Sequence, residues 1–173
     1  AHGYADKDDF LHDLFVETAG GGERGEARYE RMLDRLGKMH ASGASPASAR
    51  AVDDSLLAVI CKNHVVLPVY LYDHSGLAIS TRPFSCPWDS GEVGWIYVSR
   101  EAMLKEYGGQ KLTRAKMQRA ETLLRVEVEQ YGHYLSGDCA GYELYKGGRM
   151  VDSCWGFLGG SEEIRAGIEA YMP

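Results

Sequence analysis

Cys86, His74 and either Asp73 or Asp89 supply the residue types of a thiol nucleophile, its base and a third group to orient that base. The local sequence works against such a site. Cys86 precedes Pro87 in a loop, away from any helix N-terminus that would favour thiolate, and spacing alone does not bring His74's hairpin to that loop. A small cysteine-dependent enzyme using Cys86 and His74 therefore stands as an alternative, and no catalytic residue is assigned. Metal-ligand types occur at His64, His74, Cys86, His133, Cys139 and Cys154, but the two closest of these six are six residues apart. Structural zinc sites use ligand pairs two to four residues apart, so neither a metal nor a cofactor is expected. Asp53 with Asp54, and Glu127 with Glu129, are acids that do not face one another on a helix and read as solvated surface.

Two Cys-Trp segments say more: Ser85-Cys86-Pro87-Trp88-Asp89-Ser90-Gly91 and Asp152-Ser153-Cys154-Trp155-Gly156-Phe157. Large aromatics beside Gly, Pro and Asp make rigid turns in which Asp binds nearby backbone N–H groups. Either both turns bury their indoles, or Trp88, Trp95 or Trp155 lines a surface for a partner or ligand.

Charge is unevenly strung along the chain. Asp6, Asp8, Asp9, Asp13 and Glu17 stand together near the start against Lys7 alone, whereas Lys111, Arg114, Lys116, Arg119 and Arg125 face only Glu121. The net charge of −6 disfavours a general nucleic-acid binder, and the basic 111–125 stretch is the local exception through which a regulator would bind. Four scattered cysteines in a chain of 173 residues read as free thiols in a reducing compartment. No apolar run nears the ~20 residues that span a bilayer, and the first residues lack a basic region followed by an apolar stretch, so neither membrane insertion nor secretion is expected.

The elements that position these residues follow from periodicity. Asp6 caps a helix to about Thr18 on Phe10, Leu11, Leu14 and Phe15; Gly20 to Gly25 acts as a hinge. A second helix runs from about Glu26 to His40 on Tyr29, Met32, Leu33, Leu36 and Met39. Ser45-Pro46 opens a third, through Val52, Leu56, Val59 and Ile60. Val65–Tyr72 and Leu77–Thr81 form a hairpin about Asp73–Gly76, with Pro68 at an edge or bulge. Val93–Val98 is a third strand, followed by a Ser99-capped helix to Tyr107. Thr113 caps the longest helix, with Met117, Ala120, Leu124, Val128, Tyr131 and Leu135 on its buried stripe. A hairpin about Gly147-Gly148 and a helix capped by Ser161 complete the chain. Runs of helices and of strands predict an α+β fold, with an antiparallel sheet of about five strands, helices packed on it and a helical N-terminal region. Residues 1–63 form that helical region and 64–173 the α+β core, together one compact domain.

The motifs Leu71-Tyr72-Asp73-His74-Ser75-Gly76, Pro83 to Gly91, Val93-Gly94-Trp95-Ile96-Tyr97-Val98 and Asp152 to Phe157 resemble a family of small proteins encoded by bacteriophages and other mobile elements. The resemblance covers about 65–159; the N-terminal helices match only loosely. It implies a phage accessory protein in the bacterial host cytoplasm and brings no catalytic residue with it. Accessory proteins of this kind are frequently inhibitors of host defence, anti-CRISPR proteins among them, that occlude a nuclease complex or imitate DNA. The resulting expectation is a binding protein for a CRISPR-associated complex, with Asp6, Asp8, Asp9, Asp13, Glu17, Asp73, His74, Trp88, Asp89 and Trp155 as contact residues. The nucleic-acid reading would instead use Lys111, Arg114, Lys116 and Arg119.

Overall fold

The computed structural model describes residues 7–43 and 49–171. The expected caps at Asp6 and at Ser45-Pro46 lie outside the described residues. Among those residues are six helices and five strands, an α+β fold: α1 (Lys7–Thr18), α2 (Gly22–Ala41), α3 (Ala49–Ile60), β1 (His64–Asp73), β2 (Leu77–Ser80), β3 (Ser90–Ser99), α4 (Arg100–Tyr107), α5 (Arg114–Ser136), β4 (Cys139–Lys146), β5 (Arg149–Leu158) and α6 (Ser161–Tyr171). The chain divides into two compact units, Ala1–Leu67 with Gly94–Glu121, and Pro68–Val93 with Thr122–Pro173.

The first unit is organised by α1. Leu11, Leu14 and Phe15 of its apolar stripe are buried and Phe10 partly so; with Ala19 just past the helix they pack on Leu56 and Ile60 of α3, flanked by Tyr29, Met32 and Trp95. Leu11 and Ile60 are completely enclosed, worth roughly 1.5–3 kcal/mol each by transfer. Of the stripe expected on α2, Tyr29 and Met32 reach this core while Leu33 and Met39 remain exposed. The Gly20–Gly25 stretch is not a hinge. Gly20 and Gly21 make a tight turn with positive φ, Gly22 already begins α2, and Gly25 is buried where α2 crosses Val16 of α1. A Cβ on Gly25 would sit 2.4 Å from the Val16 carbonyl oxygen, so glycine is what permits the helices to touch. Ser99 caps α4 by accepting the Ala102 N–H at 3.1 Å, and Thr113 accepts the Lys116 N–H at 3.3 Å.

The five strands do not make one sheet. They form a three-stranded sheet in the order β2-β1-β3 and a separate two-stranded β4-β5 sheet, both antiparallel. Alternation identifies strands but not which edges meet, and the β4–β5 hairpin carries two register shifts, one at Gly156 with φ +97°, that bend and twist it. Pro68 lies in the central strand, yet β2 pairs with β1 only over Tyr70–Asp73, so no β2 residue lies opposite the missing donor. In the second unit one face of β4–β5 presents Tyr142 and Phe157 inward. Gly167 of α6 receives the Phe157 ring. Ser161 is the first residue of α6 rather than its cap: the Gly160 N–H donates to Glu163 Oε2 at 2.7 Å, as in a capping box.

Candidate functional site

The Pro83–Asp89 loop of the second unit is tied down on all sides. Tyr70↔Ser80 to Asp73↔Leu77 set the β1–β2 register, and the three-residue turn places His74 beside the end of β1. From there the Asp73 N–H donates to the Asp89 carbonyl at 2.8 Å, and Ser90 Oγ donates to the Cys86 carbonyl at 2.5 Å. The Tyr72 and Phe84 rings stack with centroids 5.4 Å apart, and His74 tilts against Tyr72 at 6.1 Å. Tyr72 and Phe84 were invisible as a pair in the sequence, because stacking joins a strand residue to a loop residue twelve positions away.

The loop does bring Cys86, His74 and Asp89 together. The Cys86 thiol donates to Asp89 Oδ2 at 3.3 Å, and His74 Nδ1 lies 3.4 Å from the same oxygen. The order is thiol, carboxylate, imidazole. A cysteine nucleophile needs the imidazole next to the thiol and the carboxylate behind it. Here the thiol donates to the carboxylate and no hydrogen bond joins His74 to Cys86 among the described residues, so the three groups brace the turn through Asp89.

At the apex of this braced turn Trp88 is 91% exposed. Both indoles of the Cys-Trp segments are therefore outside the core. Trp155, 68% exposed, lies on the outer face of β4–β5 across Gly141, where a Cβ would meet its ring at 2.5 Å. On the inner face the Tyr142 hydroxyl donates to Asp152 Oδ2 at 2.7 Å. Trp95 differs: it packs against the first unit's core, and its buried Nε1–H has no hydrogen-bond partner among the described residues. Tyr131 also departs from expectation. It faces solvent on α5, stacked on exposed Tyr134 at 6.1 Å, while Ala120, Leu124 and Val128 make the buried stripe.

The remaining expected contacts scatter. Asp8, Asp9, Asp13 and Glu17 are exposed on α1, and Asp6 lies outside the described residues. His12 bridges Asp13 and Glu26 of α2, 3.1 Å from each; burial alone would lower its pKa, but those two hydrogen bonds and their charges carry it above its ordinary value. His64 is a buried residue whose Nδ1 sits 3.2 Å from the Ile60 carbonyl. In the basic stretch Lys116 donates to the Gly108 carbonyl and Arg119 lies over the Tyr107 ring at 5.4 Å, whereas Lys111 and Arg114 are exposed. Arg125 belongs to the second unit and donates to Thr81 Oγ1 at 2.7 Å. That bond closes one end of a 470 Å³ cleft between β2 and α5, which sequence reasoning missed. At its other end Asp138 accepts from Ser136 Oγ at 2.8 Å; this bond, with His133, holds its carboxyl below the usual value.

No family model matches the chain, and no curated protein or solved structure matches it. Among the described residues no three His, Cys, Asp or Glu side chains are placed to hold a metal ion, and no helix is long and apolar enough to cross a membrane. All four cysteines are free thiols.

Proposed function

We propose that the chain is a non-enzymatic, phage-derived inhibitor of a bacterial defence system, of the anti-CRISPR type, that binds and occludes a nuclease or effector complex in the host cytoplasm. The observation that carries the binding part of this reading is Trp88, almost wholly exposed on a turn braced by Asp89, Ser90 and the Tyr72–Phe84 stack. An isolated exposed indole on a mobile loop would mean little. A turn whose backbone is already braced loses little conformational entropy when it docks, and tryptophan is among the side chains most enriched at positions that dominate binding energy. The choice of a defence complex as partner is supported by the resemblance of the Leu71–Gly76, Pro83–Val98 and Asp152–Phe157 motifs to phage-borne proteins.

The test is a plasmid-interference assay in bacteria carrying a CRISPR system, paired with co-elution of the purified chain and the effector complex. Wild type should protect the targeted plasmid and co-elute. Trp88→Ala should do neither while keeping its thermal midpoint, and Cys86→Ser should retain both. Protection that disappears with Cys86→Ser while co-elution persists would replace occlusion with cysteine chemistry.

A further inference from the structure

The charge of this chain divides sharply between its two units. The first holds 14 Lys and Arg against 14 Asp and Glu, the second 5 against 11. The whole net charge of −6 therefore belongs to the second unit, the one that carries Trp88. Its Pro68–Val93 segment has Asp73, Asp89 and Glu92 with a single cation, Arg82. These acids adjoin the braced turn: exposed Asp73 ends β1 and is bonded through its amide to Asp89, the residue after Trp88, and part-buried Glu92 follows near the start of β3.

We infer that the Trp88 turn docks on a cationic protein surface, an Arg- or Lys-lined face of the partner, with the indole against a guanidinium or ammonium side chain and carboxylates on the same turn supplying the opposite charge. This rests on the reading of the chain as an occluding binding protein and names the chemistry of the face it covers. Indole is the strongest of the aromatic cation-binding faces, and guanidinium, weakly hydrated and planar, stacks on it at low desolvation cost. The unit's negative field steers a cationic partner in and opposes nucleic acid, acidic peptides and a second copy of itself. The acidic row of α1 belongs to the other unit, whose charges sum to zero.

The full chain is titrated with an oligo-arginine peptide, an oligo-glutamate peptide and polyuridine RNA, following the indole Nε1–H resonances; that of Trp88 is assigned by its loss in Trp88→Phe. Oligo-arginine alone should bind, moving the Trp88 resonance first, and raising salt from low to molar concentration should abolish binding. Trp88→Ala should weaken it at least about tenfold. Asp73→Asn with Glu92→Gln should weaken it roughly threefold or more at low salt, where the Debye length lengthens to about 30 Å and screening is weak. Asp8→Asn, Asp9→Asn and Glu17→Gln together should leave it within twofold. The inference fails if Trp88→Ala binds like wild type, if the α1 substitutions weaken binding as much as those on the turn, or if polyuridine or oligo-glutamate binds comparably. The two readings separate cleanly. Oligo-arginine binding as described without plasmid protection overturns the defence assignment alone, while Trp88-dependent protection indifferent to Asp73 and Glu92 overturns the cationic face alone.

Discussion

Gly25→Ala and Gly37→Ala put the same methyl on the same helix and should have opposite effects. Both glycines lie inside α2, and at Gly37 nothing stands within 4 Å of the new Cβ. There alanine should simply gain helix propensity and shed unfolded-state entropy, stabilising by about 0.5–1 kcal/mol. At Gly25 the Cβ would lie 2.4 Å from Val16 O and 2.8 Å from Val16 Cγ1, where ordinary contact is 3.4–4 Å. Val16 O already accepts the Gly21 N–H at 2.9 Å, so it is fixed by the turn joining the two helices. Relief therefore requires α2 to move off α1 by about an ångström, and overpacking of this kind costs roughly 1–3 kcal/mol or more before the propensity gain of about 1 is returned. The propensity gain is common to both, so the two variants should differ by the overpacking cost, about 1–3 kcal/mol, which at roughly 2–4 °C per kcal/mol separates their melting midpoints by about 2–12 °C. Thermal and urea unfolding by circular dichroism measure this directly. If Gly25→Ala melts at or above Gly37→Ala, the close crossing of α1 and α2 is wrong.

Two further outcomes follow from the same geometry. The raised pKa of His12 means its bridge to Asp13 and Glu26 contributes stability below the ordinary value of 6.5 and loses it as pH rises through the raised value; each half-exposed pair is worth roughly 0.2–1 kcal/mol. His12→Gln should therefore lower the unfolding midpoint at mildly acidic pH and match wild type at alkaline pH, and a pH-independent gap would remove the bridge from the account. Gly141→Ala would drive a methyl to within 2.5 Å of the Cys154 carbonyl and the Trp155 ring, so it should cost about 1–3 kcal/mol and shift Trp155 emission, whereas a neutral result would mean the indole does not lie across β4.

Local periodicity carried most of the elements, and what it missed has identifiable causes. Ser99 and Thr113 were readable as caps because capping is settled within four residues. Gly20–Gly25 was misread as a hinge because a glycine needed for positive φ and a glycine needed for helix contact look alike until Val16 is placed opposite. Tyr131 fits the buried period of α5 as well as Val128 does, and only the packing of the second unit decides that it faces water. The strands were found, but the pairing of five strands into one sheet requires knowing which edges meet, and nothing in alternation encodes that. At the site itself Cys86, His74 and Asp89 were gathered correctly by residue type. Their order was not legible, since one oxygen of Asp89 serving both partners is a fact of loop geometry.

The same distinction decides where the charge of the chain acts. Asp8, Asp9, Asp13 and Glu17 form the densest acidic run in the sequence, which makes α1 look like the source of the net charge. Folding packs that helix on α2, whose Arg24, Arg28, Arg31, Arg35 and Lys38 only slightly outnumber its own Glu23, Glu26, Glu30 and Asp34, and the rest of the unit's balance comes from the cations of the 100–121 segment, Arg114, Lys116 and Arg119 among them. At a distance greater than the Debye length of about 8 Å in physiological salt, such a unit presents little net field. The second unit has acids dispersed along the sequence, so none of its segments looks acidic, yet it keeps all six uncompensated charges. The aromatic turn at Trp88 and the net negative charge then belong to one unit, so substitutions there and on the N-terminal helix test two separate contacts.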